Sequence, residues 1–429
     1  MSALYSRHKL WFWGGAWLLT RGLVLAQIGF FNHISVTSME DVYLYEGWSD
    51  SIAHNGALPT GELWQYPPGA AFLMLLPRIA MAPKGFGPAF AGTMLAFDLI
   101  ATVLIAAVSR KQGRDTGVWI WLLGVPALRA VPMLRFDMVG TTLAIAALAV
   151  VHRRPQWFGF LAGLGAMVKV WPIVVLFGEW DRRRLLRAVA AAVGTIAVVF
   201  AISALTLDGD VFEFLGSQEA RGLQVESVAA TPWHLREVIT GEGPAVESRS
   251  GTSEIVSGPA DFVSGALDWM TLVVLALAAA WWLARARSIR DGRTDLADPV
   301  VSRDFVFTLV LLLVIVSRVL SPQYLLWLFG LAAIALTSSR SNIGRPAWIL
   351  IGAGLLTTAA YGHQGAWGPA PVYGSSFNLV IRNVALLVAA ADAALAMYLL
   401  LRRAPAKTDA AAPGDPRAGA AREPATAPP

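Results

Sequence analysis

The chain has 429 residues, of which 56% are hydrophobic and 15% charged, with 17 tryptophans, no cysteine and a formal charge of +5. That balance excludes a soluble domain, and the lack of thiols excludes a disulfide framework, a cysteine nucleophile and any cysteine-based zinc or iron–sulfur centre. The 6 histidines show no His-Glu-x-x-His spacing, so no zinc site is implied, and no basic surface interleaved with aromatics points to nucleic acid.

At about 20 apolar residues per crossing, the apolar runs supply roughly ten to a dozen crossings. The fold class is therefore an all-α polytopic membrane protein. Arg7-His8-Lys9 precedes the first apolar run, Leu10 to Phe31, and positive residues stay on the cytoplasmic side. That run lacks a small-residue cleavage site and reads as a retained helix, not a signal peptide. The stretch from Asn32 to Gln65 carries Glu40, Asp41, Glu46, Asp50 and Glu62 without a Lys or Arg, as an extracytoplasmic loop would.

The next segment, Tyr66 to Arg78, decides the topology. If it crossed, the following run, Phe86 to Val108, would leave Arg110 to Arg114 outside and invert every later basic cluster. If it lies in the outer interface as a juxtamembrane helix, the clusters Arg110 to Arg114, His152 to Arg154, Asp181 to Arg184, Arg285 to Arg293, Arg340 to Arg345 and Arg402-Arg403 all fall inside. The remaining crossings read Gly117 to Leu134, Met138 to Val151, a short pair within Trp157 to Trp180, Leu185 to Leu207, Phe262 to Leu283, Phe305 to Leu320, Gln323 to Leu336, Pro346 to Tyr361 and Phe377 to Leu401. With the first two they make about twelve, several of them short enough to require tilt or burial against neighbours. Residues 1–403 form one transmembrane domain with outer loops 32–85 and 208–261, the second, with 10 acidic residues against 3 basic ones, expected to face solvent. Residues 404–429 are an Ala/Pro-rich segment expected to be disordered and cytoplasmic.

Four cations then stand at outward-facing turns, away from the basic clusters: Arg129, Arg135, Lys169 and Arg318. Ionisable groups at membrane depth are costly and take partners, here Asp137, Glu40, Asp41 or the phosphate of a ligand. In the first loop, helical spacing puts Asp41, Tyr45 and Trp48 on one face, with Glu46 and Asp50 on another. A partly desolvated Asp41 among aromatics is suited to general-base chemistry. Gly159, Gly163 and Gly165 permit close helix approach, and no P-loop or dinucleotide fingerprint occurs.

Six segments follow in order: Asp41-Val42-x-x-Tyr45, Gly56 to Pro59, Tyr66-Pro67-Pro68-Gly69, Lys169-Val170-Trp171-Pro172, Arg221 to Ser227, and Ser321-Pro322-Gln323-Tyr324-Leu325-Leu326-Trp327. Together they resemble the GT-C superfamily of polytopic glycosyltransferases, specifically bacterial glycosyltransferase family 87. Two of them are also similar to segments of the eukaryotic GPI mannosyltransferase I.

The resemblance implies a GT-C-like bundle with outer juxtamembrane helices that moves a hexose, most often mannose, from a polyprenyl-phosphate donor to a lipid, glycan or protein acceptor on the extracytoplasmic face of the cell membrane. It implies a catalytic acid in the first outer loop, Asp41 or its neighbour Glu40, and a second acid at Asp137. Direct displacement would invert C1 without a metal or other cofactor. Lys169 and Arg318, with Arg135 or Arg129 behind them, would hold the leaving phosphate. Gln323, Tyr324 and Tyr66 would hydrogen-bond the sugar beside Tyr45, and Trp48, Trp64 or Trp327 would stack on it. Arg221, Glu226 and His234 would meet the acceptor. The competing classes are a transporter or flippase for a lipid-linked sugar, with Lys169, Arg318 and Asp137 along its path, and a non-catalytic membrane scaffold.

Overall fold

The computed structural model describes residues 3–30, 36–59, 64–79, 85–216, 221–249, 252–361 and 373–403. The expected tail, 404–429, and the loop acids Glu62 and Glu219 lie outside them.

Backbone groups that cannot reach water must be paired within their own segment, and the apolar runs accordingly form helices: α1 (Ala3–Phe30), α2 (Val36–Asn55), α3 (Gly69–Ile79), α4 (Phe86–Gln112), α5 (Thr116–Ala127) and α6 (Asp137–Val150). Next come α7 (Pro155–Val168), a 3₁₀ helix at Trp171–Gly178, α8 (Arg182–Thr206), α9 (Glu213–Gly216) and α10 (Thr231–Thr240). An antiparallel pair, β1 (Val246–Arg249) and β2 (Thr252–Ile255), precedes α11 (Gly258–Arg290), α12 (Pro299–Ile315), α13 (Tyr324–Ala335), α14 (Gly344–Tyr361) and α15 (Tyr373–Arg402).

Local chemistry sets the boundaries. Gly113 ends α4 in a left-handed conformation, φ 75°, its N–H donating to Ser109, the usual glycine stop. Asp181 and Asp298 accept backbone N–H groups at the starts of α8 and α12, satisfying donors a helix leaves bare.

Three expectations need correction. The crossing anticipated from Gly117 to Leu134 stops at Ala127, where Pro126 lies in the last turn and Arg129 turns the chain at φ 51°. The pair expected within Trp157 to Trp180 exists, but its second member is 3₁₀, because Lys169 is extended and Pro172 packs where a Cβ on Gly165 would sit, at 2.8 Å. The second acidic loop is also not wholly solvent-facing. Its hairpin departs from all-α, and Leu223, Ala230 and Ile255 form a small core with Ala260, Leu267 and Val316, burying Glu237 and Glu254 as well.

Among the described residues, four helical stretches are long and apolar enough to cross a membrane: Phe86–Gln112, Arg182–Thr206, Gly258–Arg290 and Ser376–Arg402. The short ones depend on enclosure. Helix α13 has 12 residues, with Leu325 through Ala335 all buried; at 1.5 Å per residue it measures about 18 Å, well under a hydrocarbon core of about 30 Å. Close approach makes that enclosure tight, since a Cβ on Gly159 would stand 1.9 Å from the Ala188 carbonyl and one on Gly163 would stand 2.7 Å from that of Ala192.

Side-chain contacts show which ends of the helices coincide. Lys9 in α1 meets Asp115 after α4 at 3.3 Å, and a dozen residues further along α1 a buried Arg21 binds Asp98 at 2.8 Å. Helices α1 and α4 are thus antiparallel neighbours, so the basic N-terminal turn and Arg110 to Arg114 share an end. Arg114 also reaches the Ser339 carbonyl, Arg340 pairs with Asp298, His152 meets Ser302 at 2.8 Å, Arg184 meets Glu179 at 3.1 Å, Arg285 meets Ser302 at 2.9 Å, and Arg293 reaches the Arg403 carbonyl at 2.7 Å. All six basic clusters lie at that end. Asp41, Tyr66, Asp137 and Lys169 lie at the other, where Phe90 in the first turns of α4 stacks on Tyr45 at 5.5 Å.

Helix α3, of 11 residues, is about 16 Å long and lies at this second end, its Gly69 against Met167 and Ser49 of α2 donating to its Met74 carbonyl. The lack of native cysteine makes a direct test simple. Single cysteines at the exposed positions Asn55→Cys and Lys111→Cys are expected to react with a membrane-impermeant maleimide from opposite sides of the membrane. Labelling from the same side would require a second crossing between them and put α3 through the bilayer.

Candidate active site

The spacing of Asp41, Tyr45 and Trp48 becomes a buried seam of α2. Tyr45 and Trp48 are buried, and the Tyr45 ring lies 4.5 Å from that of Phe136. Its hydroxyl is 3.0 Å from that of Tyr66, while Trp48 packs edge-on against Trp64 at 5.3 Å. This aromatic block fixes α2 against the start of α6. One turn N-terminal to Tyr45, the Asp41 carboxylate pairs with Arg135.

Two residues on, Asp137 opens α6, where the helix dipole favours a negative charge. It is 1% exposed and accepts from Lys169 Nζ at 2.8 Å and from Trp327 Nε1 at 2.6 Å. Lys169 gets there because the extended residue after α7 swings its side chain out of the helical path. Trp327 comes from the first turn of α13, stacked between Tyr324 at 4.1 Å and Trp171 at 4.9 Å. The ammonium lies 5.8, 5.4 and 5.2 Å from the ring centroids of Tyr66, Tyr324 and Trp327. It sits in an aromatic cage floored by a carboxylate, which favours a cation both electrostatically and by cation–π attraction. Burial, with the Asp137 charge next in weight, pushes the Tyr66 hydroxyl well above the usual phenol range, so Tyr66 stays neutral and able to donate.

Other expected residues are placed around this centre or apart from it. Arg221 is close enough for its charge to act on the Tyr66 and Tyr324 hydroxyls. Its carbonyl accepts from Arg318, whose other nitrogen binds Asp268 of α11 at 2.8 Å; no contact joins Arg318 to Lys169, and Asp268 was not foreseen as its partner. Gln323 sits at the N-cap of α13, beside Tyr324. Glu226 accepts from Gln224, whose own oxygen takes the Leu320 N–H at 2.8 Å, so the Arg221 to Ser227 segment is stitched onto the entry to α13. His234 is buried, its nitrogens 2.9 Å from Ser376 Oγ and 2.5 Å from the Val225 carbonyl, and burial lowers its pKa. It braces the loop against α15. Trp48 and Trp64 are core residues with no face left for a sugar, and Arg129 is exposed at its turn. The backbone of Glu40 belongs to α2, and its side chain falls outside the description.

Three contributors escaped the sequence reading. Phe136 locks the start of α6 to Tyr45, and Trp171 backs Trp327, as its place in the Lys169-Val170-Trp171-Pro172 segment could have suggested. Arg382, an ionisable group inside the last apolar run, binds the Glu226 carbonyl at 2.6 Å; it should have been counted with the other cations.

A family model, glycosyltransferase family 87, matches residues 64–314. That span holds Tyr66, Arg135, Asp137, Lys169 and Arg221, with Asp41 upstream of it and Tyr324 and Trp327 downstream. No curated protein and no solved structure matches the chain.

Because Asp137 is buried, it depends on its counter-charge. Lys169→Met is expected to destabilise the protein by about 3 kcal/mol, as when one partner of a buried pair is removed, and adding Asp137→Asn is expected to restore most of the loss. Thermal unfolding in detergent measures both; equal destabilisation of the single and double variants would show that Lys169 does not compensate Asp137.

Proposed function

The chain belongs to glycosyltransferase family 87, and from that premise we propose that it transfers a hexose, most often mannose in the families it resembles, from a polyprenyl-phosphate donor to a lipid, glycan or protein acceptor. The observation that carries this reading is the juxtaposition of two unlike groups at one end of the bundle. They are a partly exposed carboxylate, Asp41, and a caged cation, Lys169, linked through Arg135, Phe136 and Asp137 at the start of α6.

The chemistry asks for that pair. A sugar hydroxyl is a weak nucleophile near neutral pH, so a carboxylate that takes its proton as the bond forms lowers the barrier. Asp41 is that base. The acceptor oxygen bonds to C1 as the bond from C1 to the phosphate oxygen breaks, its electron pair leaves with the lipid phosphate, and C1 inverts. Lys169, with Arg135 and Arg221 nearby, stabilises the charge that grows on the leaving group, which a low-dielectric site makes worth more than in water. Tyr66, Tyr324 and Gln323 hydrogen-bond the sugar. The gathering of Lys and Arg at the opposite end, with the tendency of positive residues to stay inside, supports a reaction on the extracytoplasmic face of the cell membrane, where a membrane-soluble donor is required.

Purified protein supplied with radiolabelled polyprenyl-phosphate mannose and membrane acceptors is expected to transfer label, and Asp41→Asn to lose about 10²–10⁴-fold in rate. Undiminished transfer by Asp41→Asn would remove Asp41 from the mechanism. Parallel assays with other lipid-linked sugars identify the hexose.

A further inference from the structure

Resting on the reading of Asp41 as the base, we infer that Asp41 and the donor phosphate compete for the Arg135 guanidinium, so that the base is released only when the donor is seated. Four charges alternate across the site: Asp41, Arg135, Asp137 and Lys169, joined as two ion pairs. Their sum is zero. Arg221 stands nearby, but within this row an entering phosphate meets only cations already committed to carboxylates.

The two cations are not equivalent. Lys169 serves a carboxylate with 1% of its side chain exposed, which also takes Trp327 at 2.6 Å. Pulling the ammonium away would leave a buried charge on a single neutral N–H, the costly case. Arg135 serves Asp41, whose side chain is 36% exposed, so water can solvate that carboxylate once the guanidinium leaves. Guanidinium also presents a planar fork that matches two phosphate oxygens, which an ammonium cannot do. Arg135 is therefore the cation that moves. Asp41, stripped of its counter-ion, holds a proton more readily and takes it from the acceptor hydroxyl, while the electron pair of the broken bond from C1 leaves with a phosphate held by Arg135 and Lys169. Without donor, the same carboxylate stays occupied.

Competition has a thermodynamic signature that a plain base lacks. Binding of a short-chain polyprenyl monophosphate to the full-length protein in detergent, measured by calorimetry, is expected to tighten by about fivefold in Asp41→Asn, the scale of a partly exposed ion pair, while transfer is lost. Arg135→Gln is expected to bind the probe more weakly, and in that background Asp41→Asn should no longer alter affinity, as a double-mutant cycle requires of coupled groups. If Arg135→Gln does not fold, Arg135→Lys replaces it, and there Asp41→Asn still tightens binding because the charge remains. Unchanged or weaker probe binding by Asp41→Asn, with transfer lost, would overturn the competition and leave Asp41 as base. Retained transfer in Asp41→Asn would strike the base itself, and no binding to the unmodified protein would strike the lipid-phosphate donor.

Discussion

A carboxylate at 1% exposure cannot be left to itself, and the arrangement around Asp137 follows from that constraint. An unpaired charge in such a place costs several kcal/mol, enough to consume much of the stability a protein has. Lys169 must therefore be present, and for it to be present α7 must end in an extended residue. Trp327 supplies a second donor, which requires the entry to α13 to be held at the same level, and the Gln224 contact with Leu320 holds it there. One buried charge thus ties together α6, α7, α13 and the loop that precedes α11. The same requirement leaves a rigid cation in an aromatic cage, fixed before any substrate arrives. Preorganisation of that kind is what electrostatic catalysis needs, since no reorganisation is then spent during the reaction.

Polar groups elsewhere act as register pins. Arg21 and Asp98 form a buried, doubly hydrogen-bonded pair between α1 and α4, with the Trp17 indole on the same carboxylate, and this fixes the antiparallel neighbours along their length. At the basic end, Glu179 gathers Arg184 and the backbone of Asp181, while Asp304 takes Ser341 and Asn342. Between the two ends, apart from the Arg21–Asp98 pair, the helices meet through apolar packing and glycine approaches such as Gly159 on Ala188. Such a bundle is polar at both ends and largely apolar between them, and the charged pair buried midway is fully matched, as a hydrocarbon layer requires.

The matched family span begins after Asp41 and stops before Tyr324, so the centre is assembled from within and beyond the most recognisable part of the chain. The shared segment carries the cations and Asp137. The flanks bring the partly exposed carboxylate and the ring wall.

Sequence alone determined the class of molecule, the gathering of the basic clusters, the single face shared by Asp41, Tyr45 and Trp48, and the resting of the Tyr66 to Arg78 stretch beside the first loop. Each of these depends on composition, on helical period or on the order of apolar and basic stretches, which are read along the chain without knowing what packs against what. It did not determine that Arg135 answers Asp41, that Lys169 answers Asp137, or that Arg318 turns to Asp268, because every cation there had more than one acid within conceivable reach. Nor could it see Trp171 behind Trp327, the buried Arg21 with Asp98, or a short helix kept from lipid by its neighbours. Those are choices among partners distant in sequence, and only the packed chain, in which each buried charge must be satisfied at once, makes them.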